Sequence, residues 1–184
     1  MLAGVGGQGV LSIAAIIAQG AMREGLRVKQ SETHGMAQRG GAVAAHLRLA
    51  DDEIASDLIS HGGASMILSM EPLEALRYLE FLAADGILIT ACEPVANIAD
   101  YPPLDEVLNR VRGLPRSVLV DTLAIARRAG SSRSANVALV GAAARYLPLA
   151  PDSLERAIAH RFRDKDEKVL SANLGAFRAA LREA

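Results

Sequence analysis

The sequence predicts an α/β fold: a single three-layer domain over residues 1–184, with a mixed, mainly parallel sheet, a Rossmann-like glycine loop at the start and a helical C-terminal third. Three observations lead there. The cluster Gly4-Val5-Gly6-Gly7-Gln8-Gly9 separates a short apolar lead-in from a stretch with helical periodicity. Short apolar runs at 66–70, 87–90 and 118–121 alternate with segments of helix length. Beyond residue 135 only helical patterns remain.

Taken in order, Met1 to Ala3 reads as a strand, short enough to leave open a natural start upstream of Met1. Val10, Leu11, Ala14, Ile17, Ala18 and Ala21 recur as one helical face, and Gly25 closes that helix. Residues 26–31 read as a second strand, and Glu32 to Gly41 as a polar, glycine-punctuated loop. Val43, Ala45, Leu47 and Leu49 alternate with Ala44, His46 and Arg48. That pattern suits a strand with one buried face, in antiparallel or edge placement. A helix is expected from Glu71-Pro72 through Leu73, Leu76, Leu79 and Leu82, with proline in its first turn. Asp85-Gly86 then turns into a strand at 87–90. Further helices are expected at 104–111, 123–129, 135–146, 153–162 and 166–181, with a strand at 118–121. No repeat, linker or low-complexity segment interrupts the pattern.

Composition narrows the function. A net charge of −1 lacks the basic footprint of a nucleic-acid binder. The longest apolar run, 10–18, is broken by Ser12 and too short for a bilayer, so no membrane partner is expected and the cytoplasm is the expected compartment. Cys92 is the single cysteine, and an iron–sulfur cluster usually needs four thiolates, so no cluster is expected on this chain alone. With 3% aromatics and no tryptophan, Ala, Val, Ile and Leu must build the core.

Gly4, Gly6 and Gly9 stand in G-x-G-x-x-G spacing. A strand–loop–helix unit of this kind points unpaired backbone N–H groups and a helix dipole at an anion, commonly a phosphate. Gly6, Gly7, Gln8 and Gly9 are therefore candidate binding residues. A tight packing turn accounts for the same glycines. A dinucleotide site would add an acid closing the second strand, a place Glu32 could fill.

The segment Ser31-Glu32-Thr33-His34-Gly35-Met36-Ala37-Gln38-Arg39-Gly40-Gly41 gathers polar groups between glycines. Arg39 is a fork donor suited to phosphate or carboxylate, and His34 and Gln38 can hydrogen-bond a ligand. Alternatively Glu32 and Arg39 pair and staple the loop. No residue is assigned a catalytic role, since a lone histidine without a nucleophile or second acid is poor ground for one. No metal site is assigned either: His34, His46, His61 and His160 are scattered, and Cys92 reads as a small buried hydrophobe. The charge run from Arg161 to Lys168 reads as a solvated helix junction.

Together, Gly4-Val5-Gly6-Gly7-Gln8-Gly9-Val10 and the Ser31–Gly41 segment resemble the gamma-subunit domain of the 2-oxoacid:ferredoxin oxidoreductase family. Glu71-Pro72-Leu73-Glu74-Ala75-Leu76-Arg77, Asp121-Thr122-Leu123-Ala124-Ile125-Ala126, Asn136 with Gly141-Ala142, and Asn173 with Ala176-Phe177 extend the likeness over nearly the whole chain. The His-Gly-Met-Ala-Gln-Arg-Gly-Gly wording is most similar to the indolepyruvate branch. The resemblance implies a subunit of a complex that converts a 2-oxoacid, CoA and oxidised ferredoxin into acyl-CoA, CO2 and reduced ferredoxin. It implies thiamine diphosphate, Mg and [4Fe-4S] clusters on partner subunits, and none bound by this chain alone. It also implies packing on the thiamine-bearing subunit, with contact to CoA or closure of the site as this domain's share. A homodimer that covers the exposed interface is an expected state of the isolated chain. The alternative is a free-standing nucleotide-binding, Rossmann-like enzyme with a strictly parallel sheet.

Overall fold

The computed structural model describes residues 1–34, 40–96 and 98–183. Six strands form one sheet: β1 (Leu2–Val5), β2 (Arg27–His34), β3 (Ala42–Ala50), β4 (Ala64–Ser69), β5 (Leu82–Ala91) and β6 (Ser117–Val120), in the order β2-β3-β1-β4-β5-β6. β1, β4, β5 and β6 run parallel to their neighbours in that series, while β3 is antiparallel to both β1 and β2. The mixed, mainly parallel sheet is the expected one, and the antiparallel setting read from the alternation of Val43 to Leu49 holds. β3 nevertheless lies inside the sheet, and β2 takes the edge.

Helices cover both faces. α1 (Val10–Arg23), α4 (Thr122–Arg128), α5 (Ala135–Ala143), α6 (Pro151–Phe162) and α7 (Glu167–Glu183) pack on one side, and α2 (Pro72–Arg77) and α3 (Leu104–Arg112) on the other. Period-two alternation sorts the strand residues between them. In β5, Ile87 and Ile89 join the large core under α1 and α5, while Leu88 joins the smaller core with Ile67, Ala75 and Val111. Strands buried on both faces therefore read as continuous apolar runs. Ile13, Ile16 and Ile17 of α1 are each at most 2% exposed; burying a side chain of this size is worth about 1.5–3 kcal/mol.

Two local expectations are corrected. β2 continues to His34 rather than ending at Ser31, because Glu32, Thr33 and His34 pair with Ala45, Ala44 and Val43. An edge strand needs only one paired side, so polar residues do not stop it. The helix expected through Leu82 ends at Arg77; a 3-10 turn covers Leu79–Phe81 and Leu82 opens β5. A spacing of three is the repeat of a 3-10 turn, whereas an α-helical stripe alternates three and four. Asp85-Gly86 lies in an irregularity inside β5, where pairing jumps from Ala64↔Leu82 to Met66↔Ile87.

Candidate functional site

The carboxyl ends of β1, β4, β5 and β6 open on one rim, the usual place for a ligand in an open α/β sheet. β2 also ends there, because it runs antiparallel to β3, and β3 starts there. The topology therefore brings the Ser31–Gly41 segment back to the glycine loop that follows β1. The junction is a pair of backbone bonds: Gly6 N–H donates to Gly41 O at 2.8 Å, and Gly40 N–H donates to Gly6 O at 3.4 Å. The described end of the second motif, Gly40-Gly41, is thus joined to the glycine loop. Gln38, Arg39 and the side chain of His34 lie outside the described residues.

Within the glycine loop the donors divide. The N–H groups of Gly6 and Gln8 bond to Gly41 O and Val5 O. Those of Gly7 and Gly9 make no hydrogen bond among the described residues. Gln8 acts through its side chain: Oε1 accepts from Val5 N at 2.7 Å, and Nε2 donates to Met70 O at 2.9 Å. It ties the loop to the ends of β1 and β4. Gly9 caps α1 at φ 82° without a side-chain cap. Ser12 N–H turns back to Gly9 O at 2.9 Å, so of the first-turn amides of α1 only those of Val10 and Leu11 make no hydrogen bond among the described residues.

Two cavities flank the loop. One of about 340 Å³ is floored by Val5, Gly6, Val10 and Val43. The other, of about 220 Å³, lies between Gly7 and Gln8 on one side and Glu93, Thr122, Ser132, Arg133 and Asn136 on the other. Arg133 is exposed and its guanidinium makes no ion pair among the described residues. Sequence reasoning missed Arg133 because nothing local marks it; only the tertiary return of residues 131–136 to the glycine loop does.

The rim also carries a carboxylate group that sequence reading passed over. Glu71 is 1% exposed and caps α2, its Oε2 accepting from Glu74 N at 2.7 Å. Its Oε1 takes Val95 N at 3.4 Å and the Tyr101 hydroxyl. This single carboxylate fixes the crossover after β5 onto the end of β4. Glu93 caps α4, accepting from Leu123 N at 2.6 Å and Thr122 Oγ1 at 3.1 Å, and Asp121 accepts from Ala124 N at 2.8 Å. Burial pushes the Glu93 carboxyl above the usual range, and a hydrogen bond with Asp121 adds to it. Cys92 Sγ and oxygens of Glu93 and Asp121 lie within 4.8 Å of one another. Burial and the two neighbouring carboxylates push the Cys92 thiol up to about 11. Cys92 is therefore half-buried beside two carboxylates, and not the small buried hydrophobe expected from the sequence; both carboxylates are engaged in helix capping and the thiol is held protonated.

Comparison with known proteins agrees with this geometry. The family described as pyruvate ferredoxin/flavodoxin oxidoreductase matches residues 1–183. The chain is 39% identical to indolepyruvate oxidoreductase subunit IorB of Archaeoglobus fulgidus, over 100% of this chain and 94% of that protein. Among solved structures, the gamma subunit of a keto/oxoacid ferredoxin oxidoreductase from Geobacter sulfurreducens PCA has the same fold at a TM-score of 0.71 and 20% identity, covering 100% of this chain and 95% of that one. A 2-oxoglutarate:ferredoxin oxidoreductase from Magnetococcus marinus, solved with 2-oxoglutarate, coenzyme A and succinyl-CoA, contains the fold within a longer chain, at a TM-score of 0.75 and 21% identity, over 98% of this chain and 30% of that one.

Proposed function

The chain belongs to the pyruvate ferredoxin/flavodoxin oxidoreductase family, and on that premise we propose that it is the gamma-type subunit of a 2-oxoacid:ferredoxin oxidoreductase of the indolepyruvate branch. The complex oxidatively decarboxylates an aryl-pyruvate to the acyl-CoA in the cytoplasm, with ferredoxin as electron acceptor. Thiamine diphosphate with Mg, and [4Fe-4S] clusters, are held by partner subunits and supply the decarboxylation and the electron path. This chain is inactive alone and, when isolated, covers its interface by pairing with a second copy. One cysteine in the sequence agrees with clusters held elsewhere.

The observation that carries this reading is the bond from Gly6 N–H to Gly41 O, which closes both family motifs into one rim site. In that site the free Gly7 and Gly9 amides and the dipole of α1 receive an anionic group of CoA, and Arg133 faces it across the cleft of about 220 Å³. His34, Gln38 and Arg39, from the motif that begins at the end of β2, are assigned to contacts with a ligand or with the thiamine-bearing partner. The alternative of a free-standing dinucleotide enzyme requires β2 beside β1, with its acid at the ribose. Here β3 stands between them, so Glu32 cannot serve that role.

The test is to tag the chain in its host, co-purify what binds and record the visible spectrum. A brown complex with a thiamine-binding, cysteine-rich subunit and aryl-pyruvate activity is expected. A colourless chain without a stable partner would overturn the reading.

A further inference from the structure

At the end of the sheet opposite the rim lies a cavity of about 750 Å³, and one of its walls is the strap of residues 51–63 that joins β3 to β4. Ser56, Leu58, Ile59 and Gly63 of the strap face Leu47, Met66 and Tyr146 across it. The strap has no regular secondary structure; its far end is tied by Gly62 N–H to Glu80 O at 2.9 Å, and side chains hold the rest. Lys29 Nζ reaches Ala55 O at 3.4 Å, and Arg48 Nη1 reaches Ser56 O at 2.9 Å and Leu58 O at 3.3 Å. The next tie differs in kind: Ile59 N–H donates to Nδ1 of His46 at 3.1 Å. The His46 ring stands edge-on to Phe81, with centroids 5.5 Å apart, and the His61 ring stands edge-on to the same phenyl at 4.7 Å.

A ring nitrogen that accepts a backbone N–H carries no proton. The Ile59 bond therefore requires neutral His46 with its hydrogen on Nε2, and protonation would set two N–H groups against each other. We propose that His46 is a proton-sensitive latch: uptake of one proton breaks the Ile59 bond, frees the middle of the strap and opens the cavity behind it. The Lys29 and Arg48 ties do not run through the imidazole ring, so release centres on Ile59. The charged and titratable groups around the ring are the Met1 amine just before β1, Arg48 on β3, Asp57 and His61 on the strap, Glu80 in the 3-10 turn before β5, and Lys29 reaching over from β2. Burial foremost holds the His46 ring below its ordinary value of 6.5, with a smaller push from the Met1 terminus and an opposing pull from Asp57; burial lowers the Met1 amine itself to about 5, so it carries little charge until the acid end of the range. A depressed folded value means that the latch is complete above the ordinary histidine range and is lost as pH falls through the lowered value.

Amide hydrogen exchange of the intact chain, followed by NMR from about pH 7.5 to about pH 5 beside the ring titration of His46, tests this. The protection of the Ile59 amide is expected to fall roughly tenfold for each pH unit below the His46 midpoint, while Leu68 in the sheet stays protected. His46→Asn supplies an acceptor that cannot titrate and is expected to give a flat profile. His61→Asn is expected to keep the wild-type fall. Constant Ile59 protection through the titration of the ring, or the same fall in His46→Asn, overturns the latch. If His46→Asn fails to fold, the wild-type chain still decides, because the two midpoints either coincide or do not.

Discussion

Asn136 Nδ2 lies 3.4 Å from Gly9 O, and a Cβ on Gly9 would sit only 2.5 Å from that same nitrogen. The start of α5 is thus locked onto the cap of α1, and residue 9 has no room for a side chain even before its φ of 82° is considered. Gly9→Ala is expected to destabilise by about 2–4 kcal/mol, combining left-handed strain and overpacking. Adding Asn136→Ala should recover the steric share and leave the backbone share. Chemical denaturation of the two singles and the double measures this, and strictly additive effects would refute the interlock.

Gln8 spans from Val5 N to Met70 O. Gln8→Ala removes both bonds and leaves two backbone groups without partners at a half-buried site, so a loss of about 2 kcal/mol in unfolding free energy is expected. The exchange rates of the Gly6 to Gly9 amides should rise with it.

Glu71 accepts on both oxygens, from Glu74 N on one side and from Val95 N and Tyr101 on the other. Glu71→Gln turns one acceptor into a donor facing a backbone N–H, at a cost of about 2–3 kcal/mol. Tyr101→Phe removes one hydrogen bond while leaving the cap of α2 intact, at about 1 kcal/mol. Thermal unfolding should rank wild type above Tyr101→Phe, and Tyr101→Phe above Glu71→Gln; the reverse order of the variants would contradict the assigned bonds.

With its thiol near 11 instead of the ordinary 9.0, Cys92 should react with a disulfide reagent about 100-fold more slowly than a free thiol at pH 8. The rate should climb as pH passes the range where ordinary thiols have levelled off. Denaturant should abolish the difference, since the shift arises from burial and from Glu93 and Asp121.

Arg133 is exposed and without an ion pair among the described residues. Arg133→Ala should leave folding stability within about 0.5 kcal/mol. In the assembled complex it should raise the KM for CoA about tenfold, the size of one charge-assisted hydrogen bond, with the KM for the oxoacid unchanged. Unaltered CoA kinetics would remove Arg133 from the cleft's function.

The sequence by itself determined the class of fold, the glycine loop, the antiparallel habit of residues 43–49 and most helix limits. These depend on local periodicity and on glycine and proline chemistry, which short windows carry. It also carried the family, because the two motif strings are distinctive as words. Tertiary structure decided what no window holds. The polar end of β2 becomes a strand because β3 pairs with it, and leucines spaced by three form a 3-10 turn because β5 must begin at Leu82. The rim site is likewise a matter of return paths: Gly41, Glu93, Arg133 and Asn136 reach one loop from distant parts of the chain. Their roles are set by hydrogen bonds and burial between elements, and those exist only once the sheet order is established.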